Sequence, residues 1–283
     1  MTENSAEAAP YEALAFDPAV PNVARIYDFL LQGKDNYAAD REAARRLLEA
    51  VPGAARAAQG NRRFLGRAVW FLVRDAGIRQ FLDIGTGLPT LGNVHEVAHA
   101  ADPLSHVVYV DNDPVVVTHA NALLADSLRV TAVQADLRDP DRLLSLPAVR
   151  AVIDFAQPMA VLMVAVLHFV EDREDPWSIV SKYKSMMAPG SYLALSHVTG
   201  DGSPDEAVRQ AVEIYEHASA PGIARSRTQV ARFFHGLDMV APGLVDPNCW
   251  RCPAPTDKPA PAIFYAGMGR KPDAAREHGI DGQ

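Results

Sequence analysis

The chain has only two cysteines, Cys249 and Cys252, too few for a disulfide framework or a four-cysteine metal site. They form a lone CxxC among Pro, Asp and Asn residues, which reads as loop rather than as the helix start a redox pair needs. Long apolar runs are missing too: the longest, residues 159–167, is less than half of the roughly 20 residues that a bilayer-spanning helix requires. The opening MTENSAEAAP has no basic start followed by an apolar stretch, so no secretory signal is expected. The reading is a soluble, cytoplasmic protein with no membrane partner. Positive charge is scarce as well, with 27 Lys and Arg against 35 Asp and Glu and a formal net charge of -8. That balance provides no basic face for nucleic-acid phosphates, so a small molecule is the expected partner.

What is present falls into two textures. Residues 1–20 have no periodicity and are expected to be flexible. Val23, Ile26, Tyr27, Leu30 and Leu31 then repeat at helical spacing, with Asn22 as a candidate cap and Gly33 as a stop. Helical patterns continue over 38–50 and from Pro52 to about Asp75. From Arg79 onward, β-rich runs at 79–84, 106–111, 129–134, 160–167 and 191–197 alternate with helical stretches near 91–101, 114–125, 140–146, 176–188 and 204–219. Such alternation predicts an α/β fold with a doubly wound parallel sheet. After a helix at 228–236, the runs 238–245 and 262–269 have no helix between them, which predicts an antiparallel pair closing one edge.

In a doubly wound sheet, ligands sit at the carboxyl ends of the strands. Asp83, Gly85, Thr86 and Gly87 fall at the end of the first, where glycines let backbone N–H groups approach a cofactor. The dehydrogenase fingerprint is broken, since Thr90 stands where its third glycine belongs and Pro89 interrupts the turn, which argues against a nicotinamide oxidoreductase. Acids close the next two strands. Asp111 is placed to accept both ribose hydroxyls of a nucleoside, and Asp136 to accept from the amino group of adenine. Without a ligand, both would simply cap the helices that follow.

Here the chain shows a resemblance. DIGTG (83–87), VDNDP (110–114), QADL (134–137) and the closing strand pair look like the cofactor motifs of S-adenosylmethionine-dependent methyltransferases of the Rossmann-like class. YDFLLQGKDNYAADRE (27–42), QFLDIGTGLPTLGNVHEVA (80–98), VVYVDNDPVV (107–116), AVLHFV (165–170) and APGSYLALSH (188–197) resemble an S-adenosyl methyltransferase family first catalogued as a domain of unknown function. The resemblance covers roughly residues 20–270. It implies a seven-stranded, mostly parallel sheet with an antiparallel C-terminal strand, S-adenosyl-L-methionine as cofactor, and an unidentified, small-molecule methyl acceptor. The implied division is a helical lid at 21–77, a cofactor domain at 78–271 and a flexible tail at 272–283. Carried over, Gly85 to Gly87 would line the methionine moiety, Asp111 would bind the ribose, and Asp136 with Ala135 and Leu137 would flank the adenine. Asn112 and His168 are further pocket candidates, and Tyr27, Lys34 and Asn36 would belong to a lid closing over the cofactor.

His95, Glu96 and His99 also match HExxH, the spacing of a zinc peptidase helix. The extended form of that motif would need a glycine and a histidine where Asp102 and Ser105 stand, so no metal is expected. The resembled family keeps the first His-Glu and varies the second histidine. The helix carrying the motif has an apolar stripe of Leu91, Val94, Val97 and Ala101 for packing on the sheet. For catalysis the candidates are His168 and His197, as general bases or as hydrogen-bonded strand-end histidines, and Tyr27. No Asp/Asn-Pro-Pro-aromatic run or Pro-Cys dipeptide supports base methylation of DNA. Tyr192, Tyr215, Phe233, Phe234 and Trp250 are candidates to cover the acceptor. Two rival classes are a non-catalytic S-adenosylmethionine sensor and a zinc hydrolase.

Overall fold

A computed structural model describes residues 17–89, 92–124, 127–252 and 262–273. Most of the ends expected to be flexible, and Thr90 and Leu91, lie outside the described residues.

Helix α1 (Val23–Leu30) begins where the Asn22 side chain accepts the N–H groups of Ala24 and Arg25. Helix α2 (Ala38–Ala50) is started by Asp40, a fully buried carboxylate that takes the Tyr37 N–H at 2.8 Å and the Arg25 guanidinium at 2.7 Å. Helix α3 (Ala54–Arg74) turns a stripe of Phe64, Leu65, Ala68, Val69 and Leu72 onto the sheet.

The α/β part follows in chain order: β1 (Gln80–Ile84), α4 (Val94–Ala101), β2 (His106–Asp111), α5 (Pro114–Leu124), β3 (Val130–Gln134), α6 (Pro140–Ser145), α7 (Pro147–Arg150) and β4 (Ala160–Val164). Then come α8 (Pro176–Met186), β5 (Tyr192–Val198), α9 (Asp205–Glu216), α10 (Arg227–Ala231), β6 (Asp238–Met239) and β7 (Phe264–Arg270). Four of these helices open on proline, whose missing N–H costs nothing in a first turn. The strands form one sheet in the order β3-β2-β1-β4-β5-β7-β6. All pairs are parallel except those of β7, which runs antiparallel to both neighbours. The predicted antiparallel closure is therefore present.

Strand alternation sorts the core. Leu82, Ile84, Val108 and Leu193 face one layer and Phe81, Val107, Leu162 and Ala194 the other. A third cluster joins Ile26, Leu30, Leu47 and Ala58 of the extension to Ile214 of α9. Because the chain winds outward from β1 to β3 and returns to β4 beside β1, the reversal of strand order falls at the carboxyl ends of β1 and β4.

Some boundaries differ from the sequence reading. The fourth strand stops at Val164, because Ala165 adopts a positive φ of 58° and redirects the chain. His168 therefore lies in a 3-10 turn, 167–169, beyond the strand. The helix expected over 140–146 is α6, ending at Ser145 because Leu146 precedes Pro147 and leaves the helical region, and a further short helix, α7, follows it. Of the run 238–245 only Asp238–Met239 is strand, and Val245 returns as a single bridge to Ala266.

Candidate active site

A cavity of about 630 Å³ opens at the reversal point, walled by the ends of β1 to β5, the start of β7, and by α1, α2, α3 and α9 above them. Its floor is the glycine turn. Gly85 has a φ of +73° and backs onto Val166, whose Cγ2 would lie 2.2 Å from any Cβ there. Gly87 has a φ of +65° with open space beside it, so the backbone is bare toward the cavity. Thr86 turns its hydroxyl inward to donate to Asp83 at 3.0 Å.

The two acids that line this floor differ in support. Asp83 is buried, and burial raises its carboxyl to about 6, opposed by the Thr86 hydroxyl and the charge of Arg62 and assisted by Asp111. Asp111 accepts the Gly87 N–H at 2.9 Å and the Asp113 N–H at 3.0 Å, one on each oxygen. Burial also raises Asp111, with those two N–H groups pulling the other way. Each Asp111 oxygen keeps lone-pair capacity for a further donor. Asn112, Ala135, Asp136 and Leu137 line the next section of wall. Asp136 is gripped by Arg138 through both oxygens at 2.6–3.0 Å, and these bonds hold its carboxyl below the ordinary value against the effect of burial. An adenine amino group there has to share the carboxylate with Arg138.

The extension roofs the cavity from α1. Asn22 donates to Asp113 at 2.8 Å on one rim, while the Val23 N–H donates to the Ser219 hydroxyl and the Ser219 N–H to the Pro21 carbonyl on the other. Tyr27 lines the cavity, with its hydroxyl donating to the Ala58 carbonyl and accepting from Asn61. Lys34 and Asn36 do not line it: Lys34 is exposed, and Asn36 donates to Asp28 at 2.8 Å behind the roof. Arg62 and Arg225 carried no sequence signal, because their roles come from packing between distant segments.

The two candidate histidines separate sharply. His197 is fully buried inside β5, outside the cavity lining. Arg225 can only donate, so its 2.8 Å contact makes Nε2 of His197 the acceptor and leaves Nδ1–H for the Val198 carbonyl at 2.7 Å. Burial, with the charge of Arg225, lowers its pKa to about 3. With both nitrogens committed, His197 is structural. His168 lines the cavity, is 7% exposed, and its buried Nδ1 has no hydrogen-bond partner among the described residues. Burial, then the neighbouring His197 and Arg225, push its pKa well below the ordinary value. Arg225 fixes the turn that bears it, donating to the Leu167 and Val170 carbonyls at 3.0 and 2.7 Å and to Asp172 at 2.6 Å. Of the aromatic residues expected over an acceptor, only Tyr215 lines the cavity. Trp250 packs on Phe64 and Phe71, Phe233 on Trp177, and Tyr192 on Phe71.

The HExxH match is spent on local structure. Glu96 caps α4 through the Asn93 N–H, His95 Nδ1 meets the Tyr109 hydroxyl at 2.8 Å, and His99 Nε2 meets the Ser105 carbonyl at 2.9 Å. Among the described residues no cluster of His, Cys, Asp or Glu could hold a metal. The rival zinc-hydrolase class thus finds no ligand set among the described residues. Cys249 and Cys252 form no disulfide, and no helix among the described residues is long and apolar enough to cross a membrane.

A doubly wound sheet with a glycine turn and acids on consecutive strand ends defines a nucleoside-cofactor-binding α/β protein. The sequence profile of the S-adenosyl methyltransferase family matches residues 11–272, and the chain belongs to that family. It is an enzyme that uses S-adenosyl-L-methionine. It is 41% identical to a Thermobifida fusca YX protein described as a candidate methyltransferase, covering 93% of this chain and 98% of that one with a TM-score of 0.86. A DUF574 family protein of Streptomyces avermitilis MA-4680 is 39% identical over 90% of this chain and 99% of its own, again with a TM-score of 0.86. An O-methyltransferase family protein of Burkholderia thailandensis shares the fold at 14% identity, with a TM-score of 0.50 over 81% of this chain and 62% of that one. No curated protein matches the chain.

Proposed function

We propose that this enzyme transfers the methyl group of S-adenosyl-L-methionine to a small-molecule acceptor held between the strand ends and the helical roof. The observation that carries the reading is Asp111, tied through both oxygens to the backbone of the glycine turn and of its own loop at the cavity floor. In that position it accepts the ribose hydroxyls. Gly85, Thr86 and Gly87 offer backbone to the methionine moiety, and Asn112, Ala135, Asp136 and Leu137 border the adenine. The bound cofactor supplies an electrophilic methyl carbon, so the protein's work is alignment and exclusion of water. Tyr27 and its helix perform that exclusion from above, and residues 21–77 act as the lid to a cofactor domain at 78–271. Lys34 and Asn36 drop out of the site, since neither reaches the cavity. A 630 Å³ space that must hold cofactor and acceptor together favours a small acceptor. The formal net charge of -8 supports an enzyme that does not act on nucleic acid.

Calorimetric titration with S-adenosylmethionine and S-adenosylhomocysteine tests this. One-to-one micromolar binding is expected. Asp111→Ala removes charge-assisted hydrogen bonds worth about 1.5–3 kcal/mol each, so affinity falls at least tenfold. No binding by the unaltered protein, or equal binding by the variant, refutes the reading.

A further inference from the structure

We propose that the methyl acceptor is an uncharged aromatic molecule with a phenolic hydroxyl, seated under α2, α9 and β7, and that His168 takes the hydroxyl proton. The inference rests on the site being a methyl-transfer centre, and it assigns what the cofactor motifs leave open.

The order of the strands divides the cavity. Its acids and glycines come from the ends of β1, β2 and β3. On the other side of β1 stand His168 after β4, Thr199 after β5, and Phe264 at the start of β7, which pairs with Val198. Over this second half, α2 and its end contribute Leu47 and Val51, and α9 contributes Val208, Val212 and Tyr215. No charged side chain lines the cavity from α2, α9, β5 or β7. Charged groups that line the cavity beyond these elements, such as Glu171, Arg173 and Glu174 past His168 and Asp28 and Arg62 in the roof, stand outside this set. A carboxylate, phosphate or ammonium against α2, α9, β5 and β7 would therefore lose its hydration with no counter-charge from them, a cost of several kcal/mol. The lining is also aromatic. The Phe169 ring lies 4.2 Å from that of His168 and 5.7 Å from that of Tyr215, and the Phe264 ring lies 5.9 Å from that of His168. These edges suit a flat ring.

One polar demand remains in this apolar half. Nδ1 of His168 is buried with no hydrogen-bond partner among the described residues, an unmet demand that a bound molecule or an ordered water has to satisfy. The titratable and charged groups facing His168 are His197 on β5 and Arg225 in the segment after α9, and both disfavour its protonated form. His168 is therefore neutral and accepts a proton. An aliphatic amine would arrive as an ammonium and meet the cost described above. A phenol gives up its proton far more readily than an aliphatic alcohol, so it demands less of a neutral imidazole within the transfer step. In that step the phenol oxygen bonds to the methyl carbon, and the carbon–sulfur bond breaks with its electron pair going to sulfur. The O–H proton passes to His168, and water later removes it. Arg225 is a positioning residue, holding the turn at 167–172 so that the ring stays at the wall.

The test uses one-, two- and three-ring phenols, each beside its matching arylmethylamine and arylcarboxylate, both charged at neutral pH. Calorimetry on protein loaded with S-adenosylhomocysteine reads binding, and chromatography of the methylated product reads turnover. Phenols are expected to bind and react at least tenfold better than their partners. His168→Ala and His168→Asn are expected to keep S-adenosylmethionine affinity within about twofold and to lose about 100-fold in turnover on ordinary phenols. That deficit should shrink on nitrophenols, which ionise unaided; a merely structural role for His168 would give the same deficit for every phenol. Preference for an amine or carboxylate, a deficit independent of phenol acidity, or no phenol bound by a protein that binds S-adenosylmethionine overturns the assignment. Failure to bind S-adenosylmethionine would instead strike the function proposed above.

Discussion

Asp83 shows how the site trades stability for ligand binding. Its carboxyl is buried at the glycine turn and raised from 3.8 to about 6. As pH rises, the unfolded chain ionises this group first, so the folded state loses stability between those two values and recovers none above. The destabilisation is absent below 3.8 and complete above about 6. Roughly two pH units at ~1.4 kcal/mol each give a cost of about 3 kcal/mol. Asp83→Asn has the same shape and no charge at any pH. Its stability relative to the unaltered enzyme should rise by about 2 kcal/mol between pH 4 and pH 8, as measured by urea unfolding of ligand-free protein at both values. The positive sulfonium of the cofactor favours an ionised Asp83. Affinity for S-adenosylmethionine should therefore climb through pH 6 in the unaltered enzyme and lack that rise in Asp83→Asn. A stability difference that does not change with pH would refute the assignment of a buried, uncompensated carboxylate.

Arg225→Ala strips the donor from the Leu167 and Val170 carbonyls and from His197 at once. It should lower unfolding stability by about 3–5 kcal/mol, with the half-exposed Asp172 contributing little of that. A shift below about 1 kcal/mol in the urea unfolding free energy would contradict the clamp. His99→Ala removes one hydrogen bond, costing roughly 1 kcal/mol of stability and leaving cofactor binding and turnover intact. A tenfold loss of activity restored by added zinc would revive the metal reading.

How much of the site was legible depended on how local each cause was. Asn22, Gly85, Gly87, Asp111 and Asp136 each sit where a turn or strand end dictates residue type, so spacing alone exposed them. The pairing of His168 with His197 misled, because both follow β-rich runs that read alike. The left-handed Ala165 ends one strand early and places His168 at the cavity, while its counterpart stays inside the sheet. Lys34 and Asn36 belong to a segment that does roof the site, yet Asn36 serves the buried Asp28 instead. HExxH was a chance match whose three polar groups all find neighbours within ten or so positions, except where Tyr109 of the next strand intervenes.

The sequence by itself determined the alternation of strands and helices, the glycine turn and the acids that follow it, because period and backbone conformation act over a few residues. Only the tertiary structure decided what covers the cavity and what its far half is made of. The roof joins α1 and α2 to α9, more than 150 positions away, and the clamp on His168 reaches from Arg225 across more than 50. Contacts of that span are fixed by the winding of the whole chain and by which apolar faces remain to be buried, and no short stretch of residues carries them.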